Sequence, residues 1–358
     1  MRKIFVAAIS FFIIFGLSLL IVPAQKASSK KGDKSAKTTK PKRVTTFQNP
    51  LISQTRIFAP FYFLENDDND RPTYNLKKKF DEGAAKVFTL AFIIGKGRCD
   101  NPDWDSEIGL DAPKAQIEEL RRAGGNVIFS FGGRVDAEKQ ELARYCTTIP
   151  ALQAQYSRII TMFGATHLDF DIEGDSLPPT CNVQTDQIMA GVDRRNKVLA
   201  GLQADANRNG RQLNISFTLP VGQSGLESNA LCIIENARTN GVKIAHINLM
   251  TMFFGESFPN VGNLTKQSVK ASYEQLKTST GMNGAALWQM IGITPNIGRD
   301  DEANEIFSLH DGNKDAETVF NFATDPQTPI GFLSMWNVNR DQPRNEFAKY
   351  FNSFPNRR

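Results

Sequence analysis

Residues 167–174 read His-Leu-Asp-Phe-Asp-Ile-Glu-Gly, which sets three carboxyl groups, Asp169, Asp171 and Glu173, at alternate positions of an otherwise apolar run. A period of two is the period of a strand. The three acids therefore share one face, while Leu168, Phe170 and Ile172 share the other and are apolar enough to pack under helices. Like charges this close oppose one another's ionisation, and partial burial opposes it further. At least one carboxyl is then protonated near neutrality and fit to act as a general acid. The competing reading, a solvated edge strand or a cation-binding loop, fits poorly with three large apolar residues interleaved so regularly.

Something must hold that strand in place. Short runs rich in β-branched and aromatic residues recur at 56–63, 86–94, 126–133, 167–174, 213–221, 246–255, 285–292 and 331–339. Amphipathic stretches lie between them at 115–123, 151–163, 186–208, 226–240, 265–280 and 300–309. Strands alternating with helices call for parallel βαβ units, and eight of them match a closed (β/α)8 TIM barrel better than an open doubly wound sheet. Helix punctuation agrees, with Gly124-Gly125 and Gly241 after helices and Asp300 or Asp301 before one. In such a barrel the working face is the carboxyl end of the strands, where Glu173 would stand last on strand four. Strand three ends Ser130-Phe131-Gly132-Gly133, and paired glycines there allow close approach of the backbone to strand four or to a ligand.

The 358 residues, 41% hydrophobic and 22% charged, suffice for one large domain, read here as 46–358. The start of the chain differs in kind. Arg2 and Lys3 precede an apolar run over 4–22 and then Val22-Pro23-Ala24, with small residues suited to an export peptidase. Residues 1–24 are thus a signal peptide or an uncut anchor, and the barrel is expected outside the cytoplasm, secreted or membrane-tethered. Residues 25–45 are Lys-rich and cannot bury a core, which predicts a disordered linker. Without residues 1–43, which hold ten basic residues and one acidic residue, the net charge goes from +4 to −5. The basic excess is confined to the tail, so the folded part has no nucleic-acid footprint.

Four cysteines, Cys99, Cys146, Cys181 and Cys232, predict one or two disulfides among three full pairings, and no Cys-x-x-Cys spacing suggests zinc. His167, His246 and His310 are scattered, which suits structural roles rather than a metal cage or triad. The Asp67, Asp68 and Asp70 cluster lacks the glycine and distal glutamate of a calcium loop, and Asp311, Asn313 and Asp315 likewise read as loop residues. No metal or cofactor is expected, and the chain is read as a monomer.

Asp169-Phe170-Asp171-Ile172-Glu173, together with Val127-Ile128-Phe129-Ser130-Phe131-Gly132-Gly133, resembles the two signatures of glycoside hydrolase family 18, the chitinases. Over about residues 55–342 the resemblance is to its bacterial-type members: Phe217-Thr218-Leu219-Pro220-Val221, Asn248-Leu249-Met250-Thr251-Met252, Trp288-Gln289-Met290-Ile291-Gly292 and Trp336 all match that pattern. The resemblance implies substrate-assisted hydrolysis of β-1,4-linked N-acetylglucosamine, in chitin or related oligosaccharides, with the sugar's 2-acetamido oxygen attacking C1. Glu173 would be the acid/base, Asp171 would orient the acetamido group, and Asp169 would tune the proton held by Asp171. Trp336 would lie under the distorted sugar. Ser130, Gly132, Gly133, Met252, Phe254, Gln289 and Tyr62 complete the expected substrate site, while Tyr62, Trp104 and Trp288 suit core packing as well as sugar stacking.

Two positions depart from the family pattern. Thr166 replaces its first aspartate, low in the barrel, and Phe253-Phe254-Gly255 stands where the family continues Asp-Tyr-Gly. Each lost transition-state hydrogen bond costs about 2–4 kcal/mol, which predicts reduced activity. Two alternatives follow: a chitin- or glycan-binding barrel with little or no turnover, and an endo-β-N-acetylglucosaminidase acting on other glycans.

Overall fold

Eight parallel strands close on themselves through the first. β1 runs as two short segments, Ile57–Phe58 and Phe61–Phe63, either side of Ala59 and Pro60. The first segment pairs with β8 (Phe332–Leu333) and the second with β2 (Val87–Ile94), so one strand joins the two ends of the sheet. Between them lie β3 (Asn126–Gly132), β4 (His167–Asp171), β5 (Asn214–Gly222), β6 (Ile244–Met250) and β7 (Ile291–Thr294), each paired in parallel with its neighbours. This is the expected (β/α)8 barrel. The computed structural model describes residues 56–134, 140–255, 260–300 and 305–356. The expected export or anchor segment at 1–24 and linker at 25–45 lie outside the described residues. Among the described residues no helix is long and apolar enough to cross a membrane.

All five residues of β4 are buried, and the alternation read from the sequence sorts them. Phe170 points outward, stacked on Phe131 at 5.2 Å and edge-on to Tyr156 at 5.5 Å. Tyr156 comes from α1 (Ile149–Phe163), which starts where the Thr148 side chain accepts the Ala151 N–H and stops at Gly164 in the left-handed region, φ 58°. α2 (Gln187–Arg208) begins with Asp186 accepting the N–H groups of Ile188 and Met189. Its Arg195 lies 5.5 Å from the centres of both the Phe170 and Phe217 rings and 3.6 Å from the carboxylate of Glu141, which also accepts the Tyr156 hydroxyl. The outer face of β4 thus rests on an aromatic layer with one buried ion pair behind it.

Three elements differ from the sequence reading. Residues 285–290, expected in strand seven, belong instead to a short helix, Gly284–Met290, and the strand proper is the four-residue β7 that follows. Ala285, Ala286, Leu287, Gln289 and Met290 are good helix formers, and the apolar run had hidden that preference. The helix expected at 300–309 is absent among its described residues. Ile306–Phe307 pairs antiparallel with Gly298–Arg299, leaving Ile306 exposed and Phe307 buried in the period-two manner of a strand. The helix after β7 is Asp315–Thr324 instead. Asp315, expected as a loop acid, is fully buried and accepts the Gly262 N–H at 2.7 Å and the Ser308 hydroxyl at 2.7 Å, tying that helix to its neighbours.

Cys99–Cys146 and Cys181–Cys232 are joined, with Cα separations of 4.6 and 5.4 Å, which selects one of the three pairings. The first links the segments that follow β2 and β3. The second links the segment after β4 to the helix after β5, Ser228–Thr239. Both therefore pin chain at the carboxyl end of the barrel, around Glu173.

Candidate active site

The interior face of β4 carries His167, Asp169 and Asp171, and Glu173 continues it, in extended conformation, just past the end of the strand. Asp169 is fully enclosed by hydroxyls. Ser130 Oγ donates to its Oδ2 at 2.7 Å, Ser216 Oγ donates to Oδ1 at 2.6 Å, and Thr218 Oγ1 lies 3.0 Å from both oxygens. The set is itself held: Asn248 Nδ2 donates to Thr218 Oγ1 at 3.1 Å, and Thr294 Oγ1 donates to Asn248 Oδ1 at 2.8 Å. One polar layer thus crosses the barrel from β4 to β7. Burial pushes the Asp169 carboxyl up to about 6, against the pull of its three hydroxyl donors, which favour the ionised form.

Below that layer, His167 Nε2 lies 3.0 Å from Ser216 Oγ. The serine proton is committed to Asp169, so Nε2 carries the proton and Nδ1 is bare, which fits an Nδ1 with no partner among the described residues. His167 and His246 stack at 6.0 Å, and burial holds His167 well below, and His246 down to about 4 against, the usual imidazole range. Both rings are neutral and structural.

Asp171 stands one step above Asp169. Burial first, then the charges of Glu173 and Asp169, raise its carboxyl well above the ordinary carboxylate range, and a hydrogen bond to Glu173 adds to the effect. Asp171 therefore holds a proton and donates it toward Glu173, while its Oδ1 has no hydrogen-bond partner among the described residues. Glu173 is the half-buried member of the three, at the open end. Chemically this is a proton held between two carboxyl groups, with one of them reachable from the cleft.

Backbone fit explains the glycines on β3. Gly132, at φ 99°, has no room for a side chain: a Cβ there would come 2.2 Å from the Asp171 carbonyl oxygen. A Cβ on Gly133 would come 2.5 Å from the Phe92 ring. Phe92 in turn stacks face to face with Trp336, centroids 5.6 Å apart and planes 13° apart, and Phe61 and Phe63 meet the same indole at 5.7 and 6.5 Å. Trp336 is half-buried, an aromatic floor at the carboxyl ends of β8, β1 and β2.

On the opposite wall Met252 is buried, Phe254 is half-buried and packs on the main hydrophobic core, and Phe253 is 43% exposed with φ 57°, a left-handed conformation rare for an aromatic residue. Glu305 holds this turn. Its buried carboxylate accepts the Gly255 N–H at 2.7 Å and also those of Phe253 and Phe254, and burial raises its pKa despite them.

Ser130, Gly132, Gly133, Met252, Phe254 and Trp336 are thus set on the working face of the barrel, with Ser130 engaged by Asp169 and Gly132 against the Asp171 carbonyl. Four aromatic or amide positions are not. Gln289 is exposed on the Gly284–Met290 helix at the amino-terminal end of β7, away from the working face, because the residues expected on a strand coil into a helix. Tyr62 points outward from β1 into the core, where its hydroxyl accepts the Asn75 N–H at 3.0 Å and burial pushes its pKa up to about 12. Trp104 is fully buried and donates Nε1–H to the Leu110 carbonyl at 3.0 Å, and Trp288 stacks on Tyr273 at 4.0 Å. Ser216, Thr218, Asn248, Thr294 and Glu305 were missed. The signal for the first three was there: small polar residues at period two, Ser216-x-Thr218 on β5 and His246-x-Asn248 on β6, mark a polar barrel interior.

No protein-family model matches the chain. Over 269 residues it is 30% identical to a probable bifunctional chitinase/lysozyme of Escherichia coli, covering 72% of this chain and 28% of that protein. Over 268 residues it is 29% identical to endochitinase 11 of Metarhizium anisopliae, covering 72% of this chain and 48% of that protein. The chain thus spans less than half the length of either. Among solved structures, the catalytic domain of a hyperthermophilic chitinase from Pyrococcus furiosus superposes with a TM-score of 0.68 at 28% identity, covering 84% of this chain and 95% of that one.

Proposed function

We propose, for a chain that belongs to glycoside hydrolase family 18 as a chitinase-like protein, that it hydrolyses β-1,4-linked N-acetylglucosamine polymers by a retaining, substrate-assisted route. The observation that carries this reading is the carboxyl series itself, Asp169 and Asp171 buried on the interior face of β4 and Glu173 next in line at the more open end. A sugar seated on Trp336 would present its glycosidic oxygen to Glu173. Glu173, taking up the proton it shares with Asp171, passes it to that oxygen as the acetamido carbonyl oxygen attacks C1; the carboxylate left behind then takes a proton from the water that opens the ring so formed. Asp171 orients and stabilises the acetamido group, and Asp169, in its hydroxyl cage, sets how firmly Asp171 holds its proton.

The test follows release of products from N-acetylglucosamine oligomers by residues 44–358, with and without Glu173→Gln. Release by the unaltered chain alone supports the reading; release by neither, at every pH tried, contradicts it. Phe253 and Phe254 favour a second reading, a glycan-binding barrel with little turnover, which predicts that both forms bind the oligomers and release nothing. A panel of glycoprotein glycans and peptidoglycan separates chitin from an endo-β-N-acetylglucosaminidase substrate. We further propose export, with residues 1–24 as signal or anchor. Two disulfides, of a kind that persists in oxidising compartments, support it.

A further inference from the structure

The polar layer Asp169–Thr218–Asn248–Thr294 marks one level of the barrel interior. Two residues further along each strand give the next level toward the open end: Asp171 on β4, Pro220 on β5, Met250 on β6 and Asn296 just beyond β7. Asn296 continues the β7–β8 ladder, forming a parallel bridge with Trp336, whose N–H donates to the Pro295 carbonyl at 2.8 Å while the Ile297 N–H donates to the Trp336 carbonyl at 3.0 Å. Partners in a parallel bridge carry their side chains on the same face. The Asn296 side chain therefore lies beside the indole, on the cleft side, with apolar Pro220 and Met250 between it and Asp171.

Asn296 is only 5% exposed, and its Oδ1 has no hydrogen-bond partner among the described residues. A buried amide left unmatched costs stability, and a sequence free to vary would replace it with an apolar residue of like size. Asp171 Oδ1 is unpartnered at the same level. Two unmatched polar groups, one at each end of an apolar stretch of wall and one beside an aromatic floor, are complementary to a ring that stacks by its C–H face and carries an amide. Leu or Met at 296 would have closed the wall. Phe253 and Phe254 bring no polar side chain from β6, so the neighbouring strand supplies it.

We propose that Asn296 is a specificity-determining residue that hydrogen-bonds the 2-acetamido group of the sugar on Trp336, its amide oxygen and N–H groups matching the N–H and carbonyl of the ligand's amide. This deepens the proposed function and rests on it. The test measures, in a Glu173→Gln background that stops turnover, the binding of the N-acetylglucosamine tetramer and of the glucosamine tetramer, with and without Asn296→Leu. Loss of both hydrogen bonds predicts about 5- to 100-fold weaker binding of the acetylated tetramer. Binding of the glucosamine tetramer should change less than about twofold and the melting temperature should hold or rise, because an unmatched buried amide has been removed. Equal affinity of both forms for the acetylated tetramer would overturn the assignment. So would an equal loss for both tetramers accompanied by a lower melting temperature, which would mark the amide as structural. If the Glu173→Gln parent binds neither tetramer, the chitinolytic reading itself fails, and this inference goes with it.

Discussion

At the level of single residues, the proposed hydrolysis turns on where protons reside. Asp171 is kept protonated by burial and by two neighbouring acids, and Asp169 titrates near 6. Above that pH Asp169 is an anion that holds the Asp171 proton in place; below it the hold is lost. The acid limb of kcat/KM is therefore expected near pH 6, and Asp169→Asn should remove that limb while lowering the plateau. A pH–rate profile of the two forms checks it, and an unmoved limb would assign the titration elsewhere. Glu173→Gln should cut turnover by about 10²- to 10⁴-fold with little effect on oligomer binding. Phe254→Tyr, which restores a hydroxyl where the family carries one, is expected to raise kcat/KM by about 30- to 10³-fold, the worth of one transition-state hydrogen bond. No gain would mean that the turn set by Glu305 aims this position away from the sugar.

At the scale of elements, β4 is held from both sides, by the hydroxyl cage within the barrel and by the Phe131–Phe170–Tyr156 layer and Arg195 outside it. Glu141 and Arg195 are both buried, and removing one charge strands the other. Arg195→Met alone should cost about 3–5 kcal/mol, and adding Glu141→Leu should return much of that, because an apolar pair of similar volume no longer has to be desolvated. Urea denaturation of the single and double variants measures it; equal stability of the two would show the charges to be uncoupled. How much of this was legible follows from periodicity. β4 and the end of β3 were readable because alternation and paired glycines are local signals, and Ser130, Gly132 and Gly133 came with them. The Gly284–Met290 helix and the loss of Gln289 from the site were not, since a short apolar run suits either element and only its neighbours decide. Tyr62 was misplaced by one step of the same alternation: Phe61 and Phe63 face the cleft, Tyr62 the core. Glu141, Arg195 and Glu305 are each far in sequence from what they touch, and no spacing announces such partners.

At the scale of the whole molecule, two disulfides and a set of buried titratable groups set the conditions under which the barrel stands. Cys99–Cys146 and Cys181–Cys232 close loops of 47 and 51 residues, for which chain entropy predicts about 4 kcal/mol each. Cys181→Ser with Cys232→Ser should lower the melting temperature by several degrees and loosen the segment after β4 that carries Glu173. Acidification has two opposed effects. His246, depressed to about 4 from 6.5, takes up a proton only when the chain unfolds, so stability is lost as pH falls from about 6.5 to 4. Asp169, raised to about 6 from 3.8, takes one up only when folded, so stability is gained as pH falls through the window from 6 to 3.8. The two slopes oppose each other, at most about 1.4 kcal/mol per pH unit each. His246→Phe should remove its share of the first, His167 keeping the rest: relative to the unaltered chain, its stability should rise steadily from pH 6.5 to 4. A difference that does not vary with pH would show that His246 is protonated in the fold.

The configuration of the first product, followed by proton NMR as residues 44–358 act on an N-acetylglucosamine oligomer, tells retaining, substrate-assisted hydrolysis from its alternatives. The carboxyl series and the acetamido nucleophile predict a new reducing end that appears first as the β-anomer and then mutarotates, with no signal from Glu173→Gln. An initial α-anomer, or product formed equally well by Glu173→Gln, would contradict retaining, substrate-assisted hydrolysis through Glu173.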